Sequence, residues 1–235
     1  LARLFGTDGV RGVANLDLTA ELAVKLGTAA VEVLAVGLDH QPVAVIGRDT
    51  RASGEFLEAA LAAGMAAAGA KVIRIGIAPT PEVAYLMEAL NADLGAVISA
   101  SHNPMPDNGI KFFASGGRKL PDSLEDAIED RLQTPKPLPT GAKVGRIIDN
   151  PMASGNYISH LVESLSIDLS GIKVVVDCAN GAAHHTAPAA YKKAGAEVIA
   201  IHASPDGLNI NQDCGSTHLA DLIAAVNEHD ADLGI

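Results

Sequence analysis

The chain has 235 residues, enough for one large or two modest domains. It is 48% hydrophobic but only 3% aromatic and has no Trp, so its core must be built from Ala, Val, Leu and Ile. A net charge of −11 with no Lys/Arg block argues against a nucleic-acid partner, yet leaves room for a small phosphorylated ligand met by a few local cations. The two cysteines, Cys178 and Cys214, form no C-x-x-C pair, so each is expected to pack as a small apolar residue, with no zinc site. The N-terminus shows no signal pattern, and the small-apolar stretch 59–70 is interrupted by Gly and too short for a bilayer. A soluble cytoplasmic protein with no membrane partner is the expectation.

In chain order, Val43 to Ile46 reads as a strand and Glu55 to Ala68 as an Ala-rich helix, with Ser53 as its N-cap. Lys71 to Ile75 is a strand, Pro81 to Leu90 a helix opened by proline, and Leu94 to Ile98 a strand. This alternation predicts an α/β fold with crossover helices. After Ile98 the chain becomes polar. Pro104 forbids helix at Asn103, and Pro106 with Asn108-Gly109 predicts turns. Ser99 and Ser101 therefore sit at a strand end, where open α/β sheets place ligands. A hydroxyl on such a turn suits a covalent phosphoryl carrier, and the same string suits an ordinary surface turn. Leu120 to Leu132 reads as a helix. Prolines at 135, 137 and 139 then mark a linker, taken as residues 134–152, between a domain at 1–133 and another at 153–235.

The second domain repeats the first in outline. Ala153 to Ser164 is helical, Ile172 to Val176 a strand, and Cys178-Ala179-Asn180-Gly181 a tight loop. A helix at Thr186 to Lys193, a strand at Val198 to Ile201 and a helix at Leu219 to Glu228 follow. Ala68-Gly69-Ala70-Lys71-Val72-Ile73 matches Ala194-Gly195-Ala196-Glu197-Val198-Ile199, and Ala92-Asp93-Leu94-Gly95 matches Ala231-Asp232-Leu233-Gly234. The fold expected is thus two tandem β-α-β-α-β units, the second cut inside a strand at Ile235.

Three strings carry a resemblance. Ile98 to Lys111 resembles the phosphoserine loop of the α-D-phosphohexomutases. Leu4-Phe5-Gly6-Thr7-Asp8-Gly9-Val10-Arg11-Gly12 resembles a second signature of that superfamily, in the form of its amino-sugar branch. Pro205-Asp206-Gly207-Leu208-Asn209-Ile210-Asn211, followed by Cys214-Gly215-Ser216-Thr217-His218, is similar to a third. The resemblance runs the length of the chain and covers about the first half of such an enzyme.

The resemblance implies that Ser101 carries the phosphoryl group, with Ser99 the lesser candidate. It also implies that Lys111 and Arg11 lie beside that group, with Lys111 a candidate general acid/base. A phosphoserine of charge about −1.5 to −2 needs such cations. His102 is expected to orient the loop or line the site, Asn103 to fix the turn, and Asn108 and Gly109 to aim Lys111. Gly47-Arg48-Asp49-Thr50-Arg51 reads either as phosphate support or, more plainly, as an Arg-Asp network tying strand to helix. Asn180-Gly181 reads as a tight connection before a weak anion site. His184, His185, His202 and His218 show no metal-ligand spacing and are treated as bystanders.

The implied activity is interconversion of glucosamine 6-phosphate and glucosamine 1-phosphate through a bisphosphorylated sugar. Mg2+ is the implied cofactor, reached here through the Ser101 phosphate, with its remaining ligands expected beyond Ile235 and the 235-residue chain inactive alone. The expected partner is a phosphorylated amino sugar, and a homodimer is compatible. Phosphomannomutase/phosphoglucomutase activity, or a catalytically silent module serving subunit contact, are the alternatives.

Overall fold

Apolar β-branched runs separated by Ala-rich segments fold as parallel strands with crossover helices, because each strand buries both faces and each helix buries one. The computed structural model describes residues 3–134 and 136–235. One unit comprises Leu1–Asp49, Ser53–Ala100 and Pro106–Pro151, and the other Thr50–Ala52, Ser101–Met105 and Met152–Ile235. Among the described residues no helix is long and apolar enough to cross a membrane.

The first unit contains β1 (Val10–Val13), α1 (Ala20–Leu34), β2 (Val43–Arg48), α2 (Ser53–Ala67), β3 (Lys71–Ile77) and α3 (Thr80–Ala89). It continues with β4 (Leu94–Ile98), β5 (Asp107–Ala114), β6 (Arg118–Lys119), α4 (Asp122–Gln133) and β7 (Ile147–Asp149). The sheet order is β1-β5-β4-β2-β3-β7, with β6 beside β5. Strands β4, β2, β3 and β7 are parallel, and β5 is antiparallel to both β4 and β1.

The core is aliphatic, as composition requires: Leu26, Ile46, Leu57, Leu61, Met65, Leu94 and Ile98 are fully buried. Helices α1 and α2 meet through glycine. A Cβ on Gly64 would lie 2.1 Å from the Val24 carbonyl oxygen, and one on Gly27 2.4 Å from that of Leu61. Thr28 Oγ1 donates to the Gly64 carbonyl at 3.2 Å across this contact.

The second unit contains α5 (Ala153–Glu163), β8 (Lys173–Asp177), α6 (Thr186–Lys193), β9 (Glu197–Ile201), α7 (Ala220–Glu228) and β10 (Leu233–Gly234). Its parallel sheet has the order β10-β8-β9, the same as β4-β2-β3 in the first unit. The repeat extends to single bonds. Asp93 Oδ2 accepts the Val43 N–H at 2.9 Å, and Asp232 Oδ2 accepts the Lys173 N–H at 2.7 Å. The Asp93 and Asp232 amides donate back to the same two residues. Gly69 and Gly195, at the matching helix ends, have φ of +100° and +101°, the left-handed exit that glycine provides without strain.

Two local expectations need correction. Asn108 and Gly109 are not turn residues but lie inside β5, where Asn108 is fully buried. Its Nδ2 donates to Ser53 Oγ at 2.8 Å and its Oδ1 accepts the Gly109 N–H. Pairing on both sides with β4 and β1 overrides the turn preference of Asn-Gly. Residues 147–149 of the expected linker pair with β3, and Asp149 accepts from Arg74 at 2.7 Å. Three exposed residues carry too little pattern to announce a strand, and the open edge of β3 decides it. Pro135 of that segment lies outside the described residues.

Candidate active site

Two sets of side chains are built, one in each unit. In the first unit, β5 runs between β4 and β1 with Gly109 opposite Arg11. Only glycine fits there, since a Cβ would lie 2.7 Å from the Ser99 carbonyl oxygen and 2.9 Å from Arg11 Cγ. The Leu4–Gly12 run turns back through Gly9, whose φ is +85° and whose Cβ would meet the Ile110 carbonyl at 2.3 Å. This turn presents Asp8 between two cations: 3.6 Å from Arg11 and 3.7 Å from Lys111. All three are partly exposed, so the carboxylate orients two long side chains while leaving them open to a ligand. Asp8 had no role in the sequence reading; its place three residues before Arg11 was the available signal.

At the end of β4, Ser99 Oγ donates to the buried Asp49 at 2.7 Å. Arg48 faces Glu58 at 3.6 Å and Glu55 at 3.9 Å, and burial pushes the Glu58 carboxyl up even beside that guanidinium. Arg48 thus ties β2 to α2, as the plainer of the two readings has it, whereas Asp49 holds Ser99 and Arg51 turns to the serine loop.

In the second unit, Ser101 is exposed at φ +55°, a left-handed conformation uncommon for a residue with a Cβ. Its backbone is held from two sides. Arg51, fully buried, donates to the carbonyls of Ser101 and Asn103 at 2.9 Å each, and to that of Pro104. Asn211 Nδ2 donates to the Ser101 carbonyl at 2.9 Å and to the Asn103 carbonyl at 3.1 Å. A buried guanidinium requires acceptors, and these carbonyls supply them.

The clamp explains the third string. Asp206 Oδ1 accepts the N–H groups of Leu208 and Asn209, and Asn209 Oδ1 accepts that of Asp206, so the Pro205–Asn211 loop is tied to itself before Asn211 reaches out. Sequence reasoning offered phosphate support as one of two readings of Arg51, without naming the backbone it holds, and gave Asn211 no individual role, because the contacts span 50 and 110 positions.

His102 lines a cavity of about 380 Å³ with Pro104, Met105, Leu208, Asn211 and His218. Asn180 spends its groups on neighbours: its amide donates to the His202 carbonyl at 2.6 Å and its Oδ1 accepts from Ser204. The Gly181 amide donates to Cys178, so Asn180-Gly181 is a tight connection. Cys178 and Cys214 are buried free thiols, and burial pushes the Cys178 thiol up to about 11. His202, treated as a bystander, stands between Asp177 at 3.1 Å and Asp221 at 3.2 Å.

The family described as phosphoglucomutase/phosphomannomutase, alpha/beta/alpha domain I, matches residues 2–138, and its alpha/beta/alpha domain II matches residues 155–235. A phosphoglucosamine mutase of Saccharopolyspora erythraea is 61% identical over the whole chain, which covers 53% of that protein. One of Salinispora arenicola is 59% identical with the same coverage. Among solved structures, a phosphoglucomutase/phosphomannomutase family protein of Burkholderia thailandensis superposes with a TM-score of 0.83 at 28% identity. That match covers 99% of this chain and 51% of the other. The chain thus spans about half the length of the curated relatives it matches. With two α/β units that share a three-strand parallel order and a serine loop pinned by Arg51 and Asn211, the chain belongs to the phosphoglucomutase/phosphomannomutase family.

Proposed function

We propose that this chain supplies the phosphoryl-carrying part of a phosphoglucosamine mutase, with Ser101 as the carrier. The observation that carries this reading is the clamp: an exposed serine is held at φ +55° by Arg51 and Asn211, both bonded to its carbonyl. Such a conformation persists only where its surroundings over-determine it, which is typical of functional loops. Phosphoryl transfer asks the protein mainly for positioning and charge stabilisation. The clamp supports the first, and Lys111 and Arg11, oriented by Asp8, support the second.

Phosphorylated Ser101 passes its phosphoryl group to the free hydroxyl of a hexosamine phosphate, giving a bisphosphorylated sugar and a free serine. The sugar reorients and returns its other phosphoryl group to Ser101. In this scheme the Lys111 ammonium gives a proton to Ser101 Oγ as its O–P bond breaks and regains one from the attacking sugar hydroxyl, while Arg11 balances charge on the transferring oxygens. His102 lines the cavity at the loop.

Mg2+ prefers carboxylate and phosphate oxygens and keeps several waters. The grouping of three potential metal ligands found among the described residues contains a thiol and an imidazole, an ill-fitting set for it. The Ser101 phosphate is the donor this chain offers, so no step is routed through the metal. The amino-sugar assignment rests on the relatives' names and on the Thr-Asp-Gly-Val-Arg-Gly string.

The test uses the protein of the complete reading frame. Ser101→Ala should lose both turnover and the mass increment of one phosphate, and full activity in that variant would remove Ser101 from the mechanism. A panel of glucosamine, mannose and glucose phosphates should show preference for glucosamine, and preference for mannose or glucose would reassign the substrate.

A further inference from the structure

At the C-terminal ends of β8 and β9, an oxygen of Asp177, a ring nitrogen of His202 and Sγ of Cys214 all lie within 4.8 Å of one another. We propose that these three side chains bind a divalent cation of the zinc class, with a fourth position open to water. The three residues come from a strand end, the start of a loop and that loop's far side, so no local spacing announces them.

The donor set decides the cation. Thiolate, imidazole and carboxylate together suit Zn2+ or Co2+ and are poor ligands for Mg2+ or Ca2+. One separation is close to tetrahedral: His202 Nδ1 is 3.1 Å from Asp177 Oδ1, and Cys214 Sγ lies within 4.8 Å of both ligand atoms. Two ligands each about 2.0–2.1 Å from a tetrahedral zinc ion stand roughly 3.3 Å apart.

The ligands are also oriented by their surroundings. The Ala179 N–H donates to Asp177 Oδ1 at 2.8 Å and the Gly215 N–H to Oδ2 at 2.9 Å, so the carboxylate cannot rotate freely. Each oxygen retains lone-pair capacity. His202 Nε2 lies 3.2 Å from Asp221 Oδ2. A histidine that gives one ring N–H to a carboxylate and turns its other nitrogen to the metal is a recurrent arrangement.

A separate observation points the same way. Both ring nitrogens of His202 face carboxylate oxygens, and a neutral imidazole has one N–H to give. A cation at Nδ1 resolves the conflict, with the proton on Nε2 serving Asp221. On binding, the Cys214 S–H bond breaks, its proton goes to solvent, and the thiolate pair forms the metal–sulfur bond. Asp177 and the Cys214 thiolate then neutralise the ion's two positive charges.

Such an ion would have a structural consequence. Residues between His202 and Cys214 include the Pro205–Asn211 loop, whose Asn211 holds the carbonyls of Ser101 and Asn103. Closing that loop with a cation stiffens the support of the serine.

Cobalt(II) titration of the metal-free protein provides the test. One equivalent should produce thiolate-to-cobalt charge transfer and tetrahedral d–d bands, and zinc should displace them. Cys214→Ser should abolish the charge-transfer band, while Cys178→Ser and Ser101→Ala should retain it. Asp221→Asn, at a side chain that is 64% exposed, should weaken binding about 10–100-fold with an unfolding midpoint measured alongside. Absence of the bands in the wild type, or their persistence in Cys214→Ser, would overturn the proposal. So would Asp221→Asn binding at full affinity.

Discussion

Arg11 and Lys111 converge on Asp8 without being consumed by it, since both pairs are longer than 3.5 Å and partly exposed. Pairs of this kind contribute little to stability, of order 0–1 kcal/mol. Lys111→Met and Arg11→Met should therefore lower turnover of the complete enzyme about thirty- to a thousand-fold, the equivalent of ~2–4 kcal/mol in the transition state. Melting temperature should stay nearly unchanged. Activity losses that merely track lost folded protein would make the two residues structural. Arg51 should behave in the opposite way: it is buried with three carbonyl acceptors, so Arg51→Met should destabilise by about 3 kcal/mol and loosen the serine loop. His40 offers a pH readout. Its hydrogen bonds to Asp39 and Asp93 raise its folded pKa above the ordinary value of 6.5. The stability it contributes is fully present below pH 6.5 and is lost as pH rises through the raised folded value. The stability difference between wild type and His40→Gln should accordingly shrink across that window in a denaturant titration, and a constant difference would show that the pairs are inert.

At the scale of elements, the Ala-rich helices α1 and α2 exploit their composition. Small residues let the two backbones approach until carbonyl oxygens occupy the space of a methyl group. Gly64→Ala should destabilise the first unit by about 1–3 kcal/mol, because the opposing atom is backbone and cannot swing away. An unchanged unfolding midpoint would mean the helices shift freely. Periodicity placed strands β2, β3, β4, β8 and β9 and helices α2 to α7, for these depend on residues near in sequence. The helix Ala20–Leu34 and strands β1, β5, β6 and β7 escaped that reading. Strand β5 was hidden by Asn-Gly, whose turn preference yields once Asn108 finds Ser53 and both edges of the strand are paired.

For the whole molecule, the two repeats differ in how much apolar surface they cover. The first unit has a large cluster of buried apolar residues, in which Leu26, Leu57, Leu61 and Met65 pack against Ile46, Leu94 and Ile98 of the sheet. The second has a small cluster around Val174, Val176, Cys178 and Ala196, and leaves Leu219, Ile223, Leu233 and Ile235 between 39% and 58% exposed. Hydrogen exchange should show higher protection in Val43–Arg48 and Leu94–Ile98 than in Lys173–Asp177 and Leu233–Gly234. Equal protection would mean the smaller core suffices. The 235-residue chain should neither turn over hexosamine phosphate nor bind Mg2+ at micromolar affinity, because one phosphate is a poor site for an ion that sheds water reluctantly. Measured turnover would show that the chain holds a complete site.

By itself the sequence determined the α/β class, the tandem repeat, the strand-end position of Ser101 and the family. Each follows from short-range pattern or from contiguous strings such as Ser-His-Asn-Pro. The repeat was legible even in detail, because Ala-Asp-Leu-Gly encodes an aspartate that returns its oxygen to the start of the neighbouring strand. Only the tertiary structure decided what Asp8, Arg51 and Asn211 do, and that Asp177, His202 and Cys214 meet. Those assignments depend on distances between residues tens to more than a hundred positions apart, which are set by sheet order and by where buried polar groups find partners, and no local pattern carries that information.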